Sequence, residues 1–152
     1  MKILIPIDGS KYSQGALDAV SKIVKNGDEL RVISVVEPHY PIAAEPFSVS
    51  AEFYTKLEED ERRQADELVA KSVEELKSQV GNSAAVTHEV LNGVPSRVIV
   101  EEAEKWKADL IVLGSHGYGF WQRTWLGSVS DAVIHHSPCS VYVVKPLHSP
   151  AK

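Results

Sequence analysis

Short apolar segments alternate with longer amphipathic segments along most of the chain. Five segments are short, apolar and free of a helical period, which predicts the buried strands of a parallel sheet. They are residues 2–7, 30–36, 85–91, 108–114 and 140–145. Between them the apolar positions recur at helical spacing, which predicts four helices. The helices contain residues 16–24, 51–80, 95–106 and 128–136.

The alternation of strands and helices predicts the fold class. Strand–helix–strand order implies right-handed crossovers and a parallel sheet with helices on both faces, a three-layer α/β/α sandwich. Residues 37–50 carry three prolines and no period, and we expect a loop there. The chain shows no internal repeat and no linker. We therefore predict a single domain over residues 1–147, followed by a frayed tail at 148–152.

Composition narrows the classes of function. The chain has 152 residues, of which 43% are hydrophobic and 24% charged, which suits one globular domain. A net charge of -5 argues against nucleic-acid binding, which usually requires a basic face. The first apolar run is interrupted by Pro6 and Asp8 and is too short for a membrane span or a signal peptide. With Cys139 as the single cysteine, we expect a cytoplasmic protein with no membrane part.

Two predicted strand ends carry unusual chemistry. The first strand runs into Pro6-Ile7-Asp8-Gly9-Ser10, and the fourth runs into Gly114-Ser115-His116-Gly117. In a doubly wound sheet, ligands bind beyond the carboxyl ends of the strands, where the strand order reverses. If the first and fourth strands are neighbours, these segments face one crevice.

The segment from residue 114 to residue 128 has the parts of a phosphate site. Glycines allow backbone N–H groups to approach a ligand, and Gly127-Ser128 precedes a helix whose start favours an anion. Ser128 and Ser130 add hydroxyl groups, and Arg123 could add a charged contact. No lysine precedes Ser128, as a Walker A loop requires. Gln122 stands where a dinucleotide fingerprint would have its third glycine.

At this point the chain resembles the universal stress protein family. Its ATP-binding members carry the pattern G-x2-G-x9-G-[ST], which Gly114, Gly117, Gly127 and Ser128 match at every spacing. The opening ILIPIDGS, the turn at 92–95 and the closing SPCSVYVVK are also similar to the family. The resemblance covers nearly the whole chain.

The resemblance implies a fold and an assembly. The family has a Rossmann-like fold, shared with adenine nucleotide alpha hydrolases, with five parallel strands in the order 3-2-1-4-5. It also implies a homodimer formed by antiparallel pairing of the last strands. In this chain the pairing residues would be Ser140, Val141, Tyr142, Val143 and Val144. An exposed apolar edge strand needs cover, which agrees with dimerisation.

The resemblance also implies the roles of individual residues. Asp8 and the backbone of Pro6 and Ile7 would contact the adenosine, and the backbone of Val35 would hold adenine. The ribose would be bordered by Leu113, Gly114, His116 and Gly117. The phosphates would be held by Gly127, Ser128, Val129 and Ser130. Mg²⁺ or Mn²⁺ would be carried by the phosphates rather than by a protein cage.

Structural interpretations compete with several of these assignments. Asp8 could only cap the first helix, and the glycines could serve loop geometry alone. His135 and His136 are adjacent on a helix and point to different sides, so a helix-end role is favoured over metal binding. Trp121 and Trp125 are expected to pack over the site or at the dimer interface.

Three functions remain in competition. The favoured one is an ATP-binding, homodimeric regulatory module of the stress response that presents a changed surface to an unidentified protein partner. The second is a slow ATPase or phosphotransfer enzyme, for which the chain shows no P-loop lysine and no clear base. The third is an interaction module that binds AMP or another adenylate, or no nucleotide.

Overall fold

The structure, a computed structural model, describes residues 1–39, 51–117 and 126–145. Within these ranges the strands are β1 (Lys2–Pro6), β2 (Asp28–Val36), β3 (Ala84–Asn92), β4 (Leu110–Gly114) and β5 (Ser140–Val144). The helices are α1 (Lys11–Ile23), α2 (Ala51–Val80), α3 (Pro95–Trp106) and α4 (Ser128–His136). Every predicted strand and helix is therefore present, and each predicted strand end lies within two residues of its observed position.

The five strands form one parallel sheet in the order β3-β2-β1-β4-β5, which confirms the predicted topology. β1 is the central strand: Ile3 pairs with Leu30 of β2 on one side and with Leu110 of β4 on the other. The strand order reverses at this point, so the carboxyl ends of β1 and β4 lie side by side. This is the adjacency that the crevice hypothesis needed.

Two apolar cores cover the two faces of the sheet. Ile3 and Ile5 of β1 point into the core beneath α1 and α2, whereas Leu4 points into the core beneath α3 and α4. All three side chains are fully buried. Burial on both faces explains why β1 is a continuous apolar run rather than an alternating one.

None of the described helices combines the length and the apolar character that crossing a bilayer requires. Several sequence predictions lie outside the described residues. They are most of the loop at 37–50, Arg123 with Trp121 and Trp125, and the tail at 148–152.

Candidate functional site

The segments that follow β1 and β4 meet at the carboxyl edge of the sheet. Gly117 lies so close to Asp8 that a Cβ added to the glycine would be 2.7 Å from Oδ2 of the carboxylate. Asp8 itself is exposed to solvent. The two strand ends that the sequence singled out therefore form the walls of one crevice, with a carboxylate at its mouth.

Asp8 organises the turn between β1 and α1. Its Oδ1 accepts a hydrogen bond of 3.0 Å from the backbone N–H of Ser10. Ser10 is the N-cap of α1, because its side chain accepts from the N–H of Ser13. Gly9 allows this tight turn because it adopts a φ of 79°, a left-handed conformation. The interpretation of Asp8 as the helix cap is wrong: Asp8 positions the cap residue and keeps its Oδ2 toward Gly117.

The three glycines of the motif lie where a Cβ would meet close neighbours, and the tightest of these contacts is at Gly114. Among the described residues, left-handed φ values occur at other glycines and not at Gly114, Gly117 or Gly127. A Cβ on Gly114 would lie 2.6 Å from the backbone carbonyl carbon of Tyr12, in the first turn of α1. A Cβ on Gly127 would lie 3.2 Å from Cα of His116. The glycine spacing therefore brings α1, the end of β4 and the start of α4 into close contact.

The start of α4 is fixed to the end of β4 by buried hydrogen bonds. The N–H of Gly127 donates to the carbonyl oxygen of Ser115 at 2.8 Å. The hydroxyl of Ser130, which is 3% exposed, donates to the same oxygen at 2.8 Å and approaches the carbonyl of Gly127 at 3.0 Å. Ser130 was predicted to hold phosphate, but its hydroxyl proton is directed into the protein, where it joins the two segments.

This arrangement leaves the first turn of α4 suited to an anion. Gly127 is the N-cap and supplies no side-chain hydrogen bond to the helix. The first N–H groups of a helix have no intrahelical acceptor, and the helix dipole favours negative charge there. Ser128 is the first residue of α4 and is exposed to solvent. A phosphate or carboxylate would find several donors at this point.

Tyr12 and His116 form an aromatic pair beside these donors. Their ring centroids are 5.2 Å apart with an interplanar angle of 49°. Nδ1 of His116 lies 3.1 Å from the hydroxyl oxygen of Ser115, and the ammonium of Lys11 lies 5.3 Å from the centroid of the Tyr12 ring. Sequence reasoning missed Tyr12 and Lys11. They follow the Asp-Gly-Ser turn directly, and this position in the first turn of α1 was the only available signal.

The apolar residues predicted at the site could contribute only backbone groups to the binding of a ligand. Ile7 is 5% exposed and Leu113 is 4% exposed, and Pro6 is also buried. The N–H of Ile7 already donates to the carbonyl of Ile33 at 2.8 Å. Val35, partly buried near the end of β2, packs against the core beneath α3 and α4. These residues shape the floor of the crevice.

The side chains that could bind a metal ion are dispersed among the described residues. Within the described ranges, no three His, Cys, Asp or Glu side chains come together as potential metal ligands. The Nδ1–H of His135 donates to the carbonyl oxygen of Asp131 at 2.8 Å, one turn earlier in α4. This contact agrees with the helix-end role predicted for His135.

Two groups with shifted pKa values, the Met1 ammonium and the Asp28 carboxylate, lie at the amino end of the sheet. The ammonium of Met1 donates to Oδ1 of Asp28 at 2.7 Å, and the N–H of Lys25 donates to Oδ2 at 2.8 Å. Both bonds favour the carboxylate, so the pKa of Asp28 is lowered, chiefly by the Met1 ammonium. The pKa of that ammonium is raised by the same hydrogen bond. This ion pair lies beneath the amino ends of the strands.

The fold and the crevice together define a doubly wound α/β protein with an anion-binding geometry between β1 and β4. A model of the universal stress protein family matches residues 1–145, and the chain belongs to that family. Universal stress protein MJ0531 of Methanocaldococcus jannaschii is 40% identical over 145 residues, covering 95% of this chain and 81% of the relative. The solved structure of hypothetical protein MJ0577 superposes with a TM-score of 0.85 at 30% identity, covering 97% of each chain.

Two more distant solved structures carry named ligands. A universal stress family protein of Arabidopsis thaliana was solved with AMP bound; it is 18% identical, with a TM-score of 0.65, over 100% of this chain and 96% of its own. A universal stress protein in complex with cAMP is 22% identical, with a TM-score of 0.63, over 97% of this chain and 98% of its own. At these identities the likeness to this chain is one of fold.

Proposed function

We propose that this protein binds an adenine nucleotide, in first place ATP, in the crevice between β1 and β4, and acts as a regulatory module of the stress response. The observation that carries the proposal is the convergence of three segments there. The Asp8 carboxylate, the glycine-rich end of β4 and the uncapped start of α4 meet within contact distance. Family membership and the ligands of structural relatives add support.

The contacts within the protein limit which groups can serve the ligand. The N–H of Gly127 and the hydroxyl of Ser130 are engaged with Ser115. Phosphate contacts therefore fall to the N–H groups of Ser128 and Val129 and to the Ser128 hydroxyl. Oδ2 of Asp8, beside Gly117, is the acceptor that a ribose hydroxyl could reach. Adenine would then lie toward the end of β2, against the backbone of Val35.

A divalent cation would arrive with the nucleotide. Mg²⁺ keeps several waters and commonly binds through substrate phosphates and one or two carboxylates. The cation would be carried by the phosphates, because Asp8 is assigned to the ribose. We therefore expect Mg²⁺ or Mn²⁺ to strengthen binding of ATP more than binding of AMP.

Calorimetric titration tests this proposal. We expect saturable binding of ATP in the presence of Mg²⁺, and AMP and cAMP should compete for the same site. Mass spectrometry of ligand released from the purified protein would identify which adenylate it prefers. No heat and no thermal stabilisation with millimolar ATP, AMP or cAMP would contradict the proposal.

A matched pair of glycine variants locates the site. In Gly117→Ala the new methyl group would lie 2.7 Å from Oδ2 of Asp8, so the carboxylate must move out of position. We expect at least a tenfold weaker ATP affinity, about 1.4 kcal/mol. Gly15→Ala in α1 is the control, because its added Cβ would meet only Val144 Cγ1 at 3.7 Å, an ordinary contact. Equal affinity in both variants would place the nucleotide elsewhere.

We also propose that two copies associate through β5, a strand at the edge of the sheet. Tyr142 of β5 is 42% exposed and Ile134 of α4 is 40% exposed, so this edge presents apolar side chains. An exposed apolar edge strand is a ready template for pairing with a second chain. Light scattering after gel filtration should give a dimer for the native protein and a monomer for Tyr142→Asp. A native monomer at micromolar concentration would contradict this part of the proposal.

A further inference from the structure

We propose that Glu58 and Glu61 of α2 are positioning residues for the purine base, and that they increase the preference of the crevice for adenine over other purines. The inference rests on the nucleotide-binding function proposed above. It concerns the amino half of α2, to which the glycine motif assigns no role.

The end of β2 directs two backbone groups toward the crevice. Backbone groups along a strand point alternately to its two neighbours. On the β1 side, the carbonyl of Ile33 accepts from the N–H of Ile7 at 2.8 Å. On the β3 side, the carbonyl of Val36 accepts from the N–H of Gly93 at 3.0 Å. Val35 falls on the β1 side, and Ile33 is the last described residue of β2 in register with β1. The N–H and carbonyl of Val35 therefore point past the end of β1.

This pair of groups matches the edge of adenine. Adenine presents an acceptor nitrogen beside a donor amino group, so one backbone N–H and one carbonyl can bind both. Hypoxanthine presents the reverse order, an N–H beside a carbonyl oxygen. A site built around hydrogen bonds rejects a ligand whose groups do not match. Selectivity for adenine therefore depends on how firmly the end of β2 is held.

Two glutamates of α2 hold the chain that leaves β2. Oε1 of Glu58 accepts from the backbone N–H of His39 at 3.1 Å, and Nε2 of the same histidine donates to Oε2 of Glu61 at 2.9 Å. The side chains of the His39–Glu61 pair are 36% and 37% exposed, so water screens this pair. We therefore assign the larger part of the positioning to the bond between Glu58 and the main chain.

The link from His39 back to Val35 is short and stiff. The ring of Pro38 fixes its own φ, and it restricts Glu37 to extended conformations. A displacement of His39 would therefore turn the end of β2, because the residues between them have little freedom to absorb it.

Arg62 binds a second strand end to the same part of α2. Its guanidinium donates to the carbonyl of Val90 at 3.4 Å and to Oδ1 of Asn92 at 3.3 Å. The next residue, Gly93, is the one that donates to Val36 at the end of β2. The amino half of α2 is thus bonded to the ends of both β2 and β3.

The decisive experiment compares ATP with inosine triphosphate, which has the same ribose and phosphates but a hypoxanthine base. Calorimetric titration in the presence of Mg²⁺ should give the native protein an affinity for ATP at least about tenfold higher. In Glu58→Ala we expect ATP affinity to fall about two- to fivefold, with the affinity for inosine triphosphate within about twofold of native. Glu58→Ala/Glu61→Ala should lower the ratio of the two affinities further. Glu59→Ala is the matched control, because Glu59 lies between the two on the same helix and is exposed.

Conservative variants separate positioning from a general structural role. Glu58→Gln and Glu61→Gln each keep an oxygen that can accept the same hydrogen bond, so both should retain most of the native preference for ATP. Thermal unfolding checks that each variant folds. If the affinities for ATP and inosine triphosphate fell together in folded Glu58→Ala, the loss would be general and the inference would be wrong.

Nuclear magnetic resonance gives a readout that is independent of affinity. The backbone amide signals of Val35 and Glu37 should move in free Glu58→Ala and stay in place in Glu59→Ala. A native-like preference for ATP in the double variant, or equal affinity of the native protein for the two nucleotides, would overturn the inference while leaving nucleotide binding intact. If the native protein bound neither nucleotide, the proposed function itself would fail, and this inference with it.

Discussion

Both ends of the sheet carry aspartates, but those at the amino end are bonded within the protein and the one at the carboxyl end faces solvent. At the amino end, Asp28 is 5% exposed and bonds to the Met1 ammonium and the Lys25 N–H. Asp109 accepts from the N–H of Lys2 at 2.6 Å, which ties β1 to the residue before β4. At the carboxyl end, Asp8 is exposed, the α4 cap has no side chain and the segments meet through glycines.

This difference shows how one fold separates stability from binding. Polar groups at the amino end satisfy each other, and therefore contribute to folding. At the carboxyl end, buried hydrogen bonds such as the one from Ser130 to Ser115 hold the segments in place. The polar groups of Asp8 and Ser128 are exposed to solvent there. Substitutions at the amino end should thus change stability alone, and substitutions at the carboxyl end should change affinity.

We expect Gly114→Ala to be the most damaging substitution at the carboxyl end of the sheet. The added methyl group would lie 2.6–2.7 Å from three atoms of Tyr12, two of them backbone. Backbone cannot rotate away, so we expect a loss of about 1–3 kcal/mol of folding stability together with loss of nucleotide affinity. Chemical denaturation measures the first, with Gly15→Ala as control. A stability equal to that of the control would show that α1 and β4 are not packed as described.

Asp28→Asn tests the amino end. The variant weakens two hydrogen bonds to a buried carboxylate, and we expect about 1–3 kcal/mol of destabilisation. Calorimetric titration should show unchanged ATP affinity, because this site is at the opposite edge of the sheet. Asp109→Asn, on the more exposed partner of Lys2, should cost less. Weaker ATP binding by folded Asp28→Asn would contradict the separation of the two ends.

The pH dependence of native stability follows from the same ion pair. The folded pKa of Asp28 is lowered from an ordinary value of 3.8, so its contribution is present above pH 3.8 and is lost as the pH falls through the folded pKa. The folded pKa of the Met1 ammonium is raised from 8.0, so its contribution is present below pH 8.0 and is lost as the pH rises through the folded pKa. Denaturation from pH 2 to pH 10 should show both losses. Asp28→Asn should lack the loss on the acid side and should show a smaller loss on the alkaline side, because Asp28 is the largest but not the sole cause of the raised pKa of the Met1 ammonium.

Ser130 and Ser128, two serines near the start of α4, should affect stability and affinity differently. Ser130→Ala removes buried bonds to Ser115 and Gly127, and we expect about 1 kcal/mol of destabilisation with a secondary loss of affinity. Ser128→Ala removes an exposed hydroxyl, so stability should be unchanged and ATP affinity should fall about two- to fivefold, or up to about 1 kcal/mol. The reverse pattern, with Ser128 governing stability, would show that their roles have been exchanged.

Most of the fold could be predicted from local signals. Apolar runs and helical periods located every described strand and helix, and the alternation of elements implied the parallel sheet. The strand order came from the family resemblance, since periodicity alone does not say which strands are neighbours. The crevice was located because ligand sites in such sheets follow the carboxyl ends of strands.

The details of the crevice and of the Asp28 ion pair depend on contacts between segments that are distant in sequence. The reason for Gly114 lies in Tyr12, more than a hundred positions earlier, and no local pattern reveals that packing. The inward bond of Ser130 depends on the course of the chain after β4. The Asp28 ion pair depends on β1 and β2 being parallel neighbours. Sequence reasoning identified which residues could bind a phosphate, but it could not show which of their polar groups the fold already uses.

If an adenine nucleotide binds at the carboxyl end of the sheet, the backbone amides of that end should respond to it. Nuclear magnetic resonance during titration with ATP and Mg²⁺ follows each of these amides separately. We expect saturable shifts at Asp8, Gly117, Ser128 and Val129, with little change at Asp28 and Asp109. Shifts centred on the amino end, or no shifts at millimolar ATP, would contradict it.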